Sequence, residues 1–202
     1  LLAGITMAIF ARLRGVSLRI GGAGLAYAAV LGIAQFVLNF NFVYHAERYV
    51  TSGLVAAAYA LLMLPNALLA WAVLRQPVSR RFMVGGLLGI FGVGLLFRSD
   101  MQAGINDAAL FGLGLVACGI LSASVANVLQ ASRTAAKLDL VVMLAWAMIY
   151  GGLIDAAFAW IVSGPPRFDP SPAYVGGLAY LAALGSALAF VLYFDLIRLL
   201  GP

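Results

Sequence analysis

Eight side chains stand inside apolar runs where a polar group is costly: Gln35, Asn39, Tyr59, Asn66, Asn127, Trp146, Tyr150 and Asp155. In a membrane each must find a hydrogen-bond partner or line water. Gln35 and Asn39 are four residues apart and share one helical face, whereas Asn41 and His45 share another. Tyr59, Met63 and Asn66 gather about Pro65, which removes an N–H in mid-span, crowds the carbonyl of Leu61 and predicts a kink there. Asn127 has Ser124 near its face, and Trp146 with Tyr150 forms an i, i+4 aromatic pair deeper than an interfacial belt would lie. Amides and rings of this kind can hydrogen-bond either end of a neutral or zwitterionic molecule while covering its apolar part, which makes them candidate cavity residues. Asp155 is an acid several residues within an apolar helix, and proton coupling is its candidate role because such a group is by default functional or paired.

Each of these has a plainer reading. Gln35 and Asn39 can form an interhelical hydrogen bond worth only ~1 kcal/mol. His45 can be an interfacial ring half in water, Pro65 a structural kink, and the Trp146–Tyr150 pair ordinary packing. No catalytic set is visible: there is one histidine, one cysteine, no H-E-x-x-H and no G-x-S-x-G, so no enzyme activity, bound metal or cofactor is expected. Cys118, alone in an apolar run, reads as a small packing residue.

The elements that must position these groups are membrane helices. The chain is 64% hydrophobic and 9% charged with a mean hydropathy of +1.06, whereas soluble domains carry about a quarter charged residues. A sequence pI near 9.7 could point to nucleic acid, but the basic residues are scattered through short loops and no nucleic-acid partner is expected. At ~1.5 Å per residue, about twenty apolar residues cross a ~30 Å hydrocarbon core. Complete spans are expected at 24–46, 50–74, 83–97, 108–131, 140–162 and from 173 towards Arg198, after a partial one at 1–10. Small residues mark expected packing faces: Gly85-x-x-x-Gly89 with Gly92 and Gly94, the stripe Gly114, Cys118, Ser122, Ala126 and Gln130, and the patch Gly185, Ser186 and Ala189.

Loop charges set an orientation. Arg12, Arg14, Arg19, Arg75, Arg80, Arg81, Arg133, Lys137 and Arg198 fall on one side if the spans alternate, and Arg48, Arg98 and Arg167 on the other. The richer side is then cytoplasmic. A cysteine at Gly104 would label from outside with an impermeant thiol reagent and one at Ser79 would not. Sliding the chain by about 150 positions lays 44–48 over 194–198, each an apolar helix ending in an arginine, and with opposite sidedness the two halves read as inverted repeats.

The stretch GSALAFVLYFDLIRLLGP resembles the end of the eighth helix of EamA-type members of the drug/metabolite transporter superfamily. AERYVTSGLVAA, Met63-Leu64-Pro65 and PVSRRFMVGGLLGIFGVGLLF resemble that family's third-to-fourth helix junction, mid-helix proline and fifth helix, although Gln76 stands where a glutamate is usual and Ala123 where an aromatic is frequent. The resemblance implies an all-α polytopic bundle of two inverted five-helix repeats. The first would occupy 1–98 without its first helix and part of its second, 99–107 would link them, and 108–202 would be the second without its last two helices. It further implies transport of a small metabolite by alternating access, often by export, in a bacterial inner membrane. The expected partners are that metabolite and the lipid bilayer, with a homodimer as a further arrangement. The competing class is a membrane scaffold or assembly protein that moves nothing.

Overall fold

A computed structural model describes residues 1–101, 107–165 and 168–202, without the side chains of 96–101. Every regular element among them is helical, as the composition predicts. In chain order they are α1 (Leu2–Leu13), α2 (Gly22–Ala46), α3 (Ser52–Leu74), α4 (Arg80–Met101), α5 (Asp107–Gln130), α6 (Leu140–Ser163) and α7 (Pro172–Leu200). Among the described residues, 5 helices are long and apolar enough to cross a membrane: α2, α3, α5, α6 and α7. The chain is thus an all-α, multi-pass membrane protein. α4 has 22 residues with charges near both ends, and it continues to Met101, so the start of the loop expected at Arg98 is helical. Gly104, Asn106 and Arg167 lie outside the described residues.

Local chemistry sets the helix ends. Ser79 Oγ accepts from the Phe82 N–H at 3.2 Å, Asp139 Oδ1 from Val142 N–H at 3.0 Å, and Ser171 Oγ from Tyr174 N–H at 3.3 Å, with Pro172 opening α7. Each satisfies an amide that the first helical turn leaves without a partner. Three helices are not regular throughout. α2 widens to a π-helix over Ile33–Leu38, α7 does so over Leu181–Leu188, and α3 tightens to a 3₁₀ turn over Ala60–Leu62.

The helices group into two compact units, Leu1–Val37 with Arg133–Gly201, and Leu38–Ser132. These units record which helices touch, and so cut across boundaries drawn from a sequence repeat. In the first, α1, the leading part of α2 and α7 pack against α6, burying Leu31, Met143, Leu144 and Phe194. Glycines bring α2 and α6 together: a Cβ on Gly32 would collide with the Ala147 carbonyl, and one on Gly151 would lie 2.7 Å from Phe36 Cβ. α7 docks through Ala187, Phe194 and Ile197, and its Phe190 ring meets Phe36 edge-on at 5.0 Å. The patch expected to bring a neighbour onto α7 is not used in this way, since Gly185 and Ala189 are exposed.

In the second unit α5 is central. Val116 and Ile120 on it pack with Ala46, Val55 and Ala58. The small-residue stripe expected on α5 is only half right: Gly114 and Cys118 are exposed, and the buried face begins instead at Gly112, Val116 and Gly119. α4 leans on α3 through Gly86 against Leu64 and Gly89, where a Cβ would lie 3.4 Å from Leu61, whereas at Gly85, Gly92 and Gly94 a Cβ would have nothing within 4 Å among the described residues. The contact therefore runs through Gly86 and Gly89, with Gly86 in the place that the Gly85-x-x-x-Gly89 reading gave to Gly85.

Candidate functional site

Four of the candidate cavity residues belong to the second unit, and the break in α3 positions two of them. Pro65 cannot donate to the preceding turn, and the helix accommodates it by turning 3₁₀ at Ala60–Leu62 and restarting at Met63, so that Pro65 lies in the first turn of the new segment, where no N–H is needed. A 3₁₀ residue advances ~120° against ~100° in an α-helix, which rotates the remainder of α3 by roughly 60° over the turn. Tyr59 before the break and Asn66 after it both point inwards, but Met63, grouped with them by spacing, is turned out and 56% exposed.

Tyr59 Oη donates to Asn39 Oδ1 at 2.6 Å. Gly119 makes the bond sterically feasible, since a Cβ there would lie 2.6 Å from the phenol oxygen. Farther along α5, Asn127 Nδ2 donates to Asn66 Oδ1 at 3.3 Å, both residues being buried. Gly119 and Asn127 are eight residues apart on α5, so the two pairs sit at levels separated by ~12 Å along that helix. Ser124, fully buried between those levels, has no hydrogen-bond partner for Oγ among the described residues. Gln130 is buried as well. Sequence spacing places Ser124 near Asn127 but misses Gly119, one of two glycines, with Gly112, on the buried face of α5.

Gln35, Trp146, Tyr150 and Asp155 lie in the first unit. Gln35 falls in the π segment of α2, is 6% exposed, and has no partner for Oε1 among the described residues. Trp146 stacks on Tyr150 with ring centroids 5.7 Å apart, but its indole N–H is committed at 2.9 Å to the carbonyl of Leu18 in the α1–α2 connection. Trp146 is ~9 Å along α6 from its start, and its indole end is tethered to the α1–α2 connection. Asp155 is half-buried on α6. His45 bonds through Nδ1 to the Asn41 carbonyl one turn back at 2.8 Å, in keeping with the plainer reading of that ring. Arg198, at the end of α7, donates to the Leu138 carbonyl at 3.1 Å and secures α7 to the start of α6.

Residues 1–98 match the model described as the EamA-like transporter family. This leading part of the chain is thus similar to EamA-like transporters. A relative, Protein PecM of Dickeya dadantii (strain 3937), is 28% identical over 169 residues, covering 82% of this chain and 54% of PecM, so the chain spans about half the length of that relative. No solved structure matches the chain significantly.

Proposed function

We propose that this EamA-type chain supplies part of a transporter that moves a small neutral or zwitterionic metabolite, amino-acid-like in its polarity, by alternating access, with export as the direction. The observation that carries the reading is the pair of polar contacts, the part-buried Asn39–Tyr59 and the buried Asn66–Asn127, at two levels of one helical unit. Neither contact includes a fixed charge. Amides and a phenol can exchange hydrogen bonds with either end of a zwitterion, where a buried cation or anion would select one sign.

The interrupted helices support the repeat on which alternating access would rest. The π segments of α2 and α7 end at Leu38 and Leu188, 150 positions apart, the same offset that superposes Arg48 on Arg198. A π turn is rare and recurs at functional sites, so its presence in both helices at one register favours a common origin for 1–98 and 108–202. Opposed sidedness follows from the loop charges and is tested by cysteine labelling after Cys118→Ala. Gly104 being outside the described residues, Thr51, exposed in the Arg48 loop, serves in its place. Thr51→Cys is expected to react with an impermeant reagent from the periplasmic side and Ser79→Cys only after permeabilisation; the reverse pattern overturns the orientation.

Proteoliposomes holding the full-length protein are expected to move radiolabelled neutral amino acids or related metabolites, whereas a scaffold moves none. Should Asp155 carry a coupled proton, Asp155→Asn shifts the pH profile of that transport. An unchanged profile with less folded protein makes Asp155 structural.

A further inference from the structure

We propose that the connection between α1 and α2 forms a binding site for the phosphate of an anionic phospholipid headgroup, held by Arg12, Ser17 and Arg19. A cavity of about 440 Å³ opens there, lined by Arg12, Gly15, Val16, Ser17 and Arg19, with no Asp or Glu among them. The end of α1 would ordinarily repel an anion through its exposed carbonyls. Here those carbonyls are used: Gly15, at φ +73°, donates to Arg12 O at 3.0 Å and Val16 to Ala11 O at 2.9 Å, the paired bonds of a Schellman turn. Ser17 Oγ accepts the Arg19 N–H at 3.2 Å, which leaves its hydroxyl proton to donate outwards. The Trp146 bond to Leu18 O holds the turn from the side of α6. Arg14, the third arginine of the segment, is turned away and lies over the Phe10 ring at 5.5 Å.

Two guanidinium forks and a hydroxyl around one concavity match the oxygens of a phosphate better than they match a carboxylate or a halide. The site lies just before the first residue of α2, Gly22, where the apolar span begins, and so at headgroup depth. It is on the side that carries nine of the chain's 12 basic residues, the side read as cytoplasmic. A lipid phosphate is the anion always present at that depth.

Thermal-shift and native mass-spectrometric titrations of the full-length protein in detergent test this, with phosphatidylglycerol, phosphatidylcholine and inorganic phosphate as separate probes. Phosphatidylglycerol is expected to bind and stabilise the wild type, and the Arg12→Gln/Arg19→Gln double variant to bind it on the order of thirtyfold more weakly, about fivefold per arginine. Arg14→Gln is expected to bind as the wild type does. The three side chains are exposed, so folding survives the changes and is checked by the melting curve without lipid. Equal binding of phosphatidylglycerol by the wild type and the double variant overturns the proposal. So does a phosphate-induced stabilisation as large as that by phosphatidylglycerol and lost in the double variant, which would assign the site to a soluble phosphate.

Discussion

Gly32→Ala is expected to lower the melting temperature of the purified protein by on the order of 5 °C, while Gly92→Ala leaves it unchanged. A Cβ on Gly32 would meet the carbonyl oxygen of Ala147, with the Ala147 carbonyl carbon at 3.1 Å and Cα at 3.2 Å. All three are backbone atoms of α6 and cannot rotate away. α2 would have to lift off α6, at a crossing where Ala28, Leu31, Leu144 and Ala147 are fully buried. Overpacking of that kind costs about 1–3 kcal/mol, and a kcal/mol moves the midpoint of a chain this size by roughly 2–4 °C. Gly92 has nothing within 4 Å of its Cβ position among the described residues and is exposed, so the same methyl meets none of their atoms. Melting followed by size-exclusion in detergent separates the two. Equal midpoints for the two variants would mean that the α2–α6 crossing is not as close as described.

That crossing also shows how far the fold is legible in the sequence. The spans are readable because a ~30 Å apolar slab imposes a length on every helix that crosses it, and the π and 3₁₀ segments do not change that length much. Which faces pack is a finer matter. Gly24, Ala28 and Gly32 repeat every four residues on α2, a small-xxx-small seam that is buried throughout, yet the stripe of the same spacing on α5 from Gly114 is half exposed. Spacing supplies many candidate seams in a chain with 23 glycines, and only the neighbouring helix decides among them. Pro65 announces the α3 break but not the rotation that the break imposes, so spacing groups Met63 with residues from which it points away. The π segments have no sequence signal at all, because one extra residue per turn is a choice of hydrogen-bond partner and any apolar residue can make it. The polar candidates are visible by their cost, since a buried amide in lipid is conspicuous wherever it lies. Their pairing is not, because Asn66 and Asn127 are 61 positions apart and their contact depends on how α3 restarts after its break.

Asn66→Ala and Asn127→Ala are each expected to cut transport about tenfold or more while leaving the folded amount close to wild type. The bond between them is 3.3 Å long and joins two neutral amides, and an interhelical hydrogen bond of that kind contributes only about 0.6–1 kcal/mol to a membrane fold. Either variant should therefore still fold. The effect on function is larger because a substrate that lines up with this pair loses a hydrogen bond in a place where its own polar group is left unsatisfied, a penalty of about 1–3 kcal/mol. Tyr150→Ala should also weaken transport, through loss of the ring that stacks on Trp146. Leu95→Val, on an exposed position of α4, supplies the neutral control. The double variant Asn66→Ala/Asn127→Ala distinguishes a site from a strut. If the pair contacts substrate, initial rates in proteoliposomes fall in both single variants and the melting temperatures hardly move. If the pair only joins α3 to α5, melting temperatures fall by a similar small amount in the singles and the double, and transport per folded molecule stays at the wild-type rate. That second pattern, or a loss with Leu95→Val matching the loss with the amide variants, would remove Asn66 and Asn127 from the substrate path.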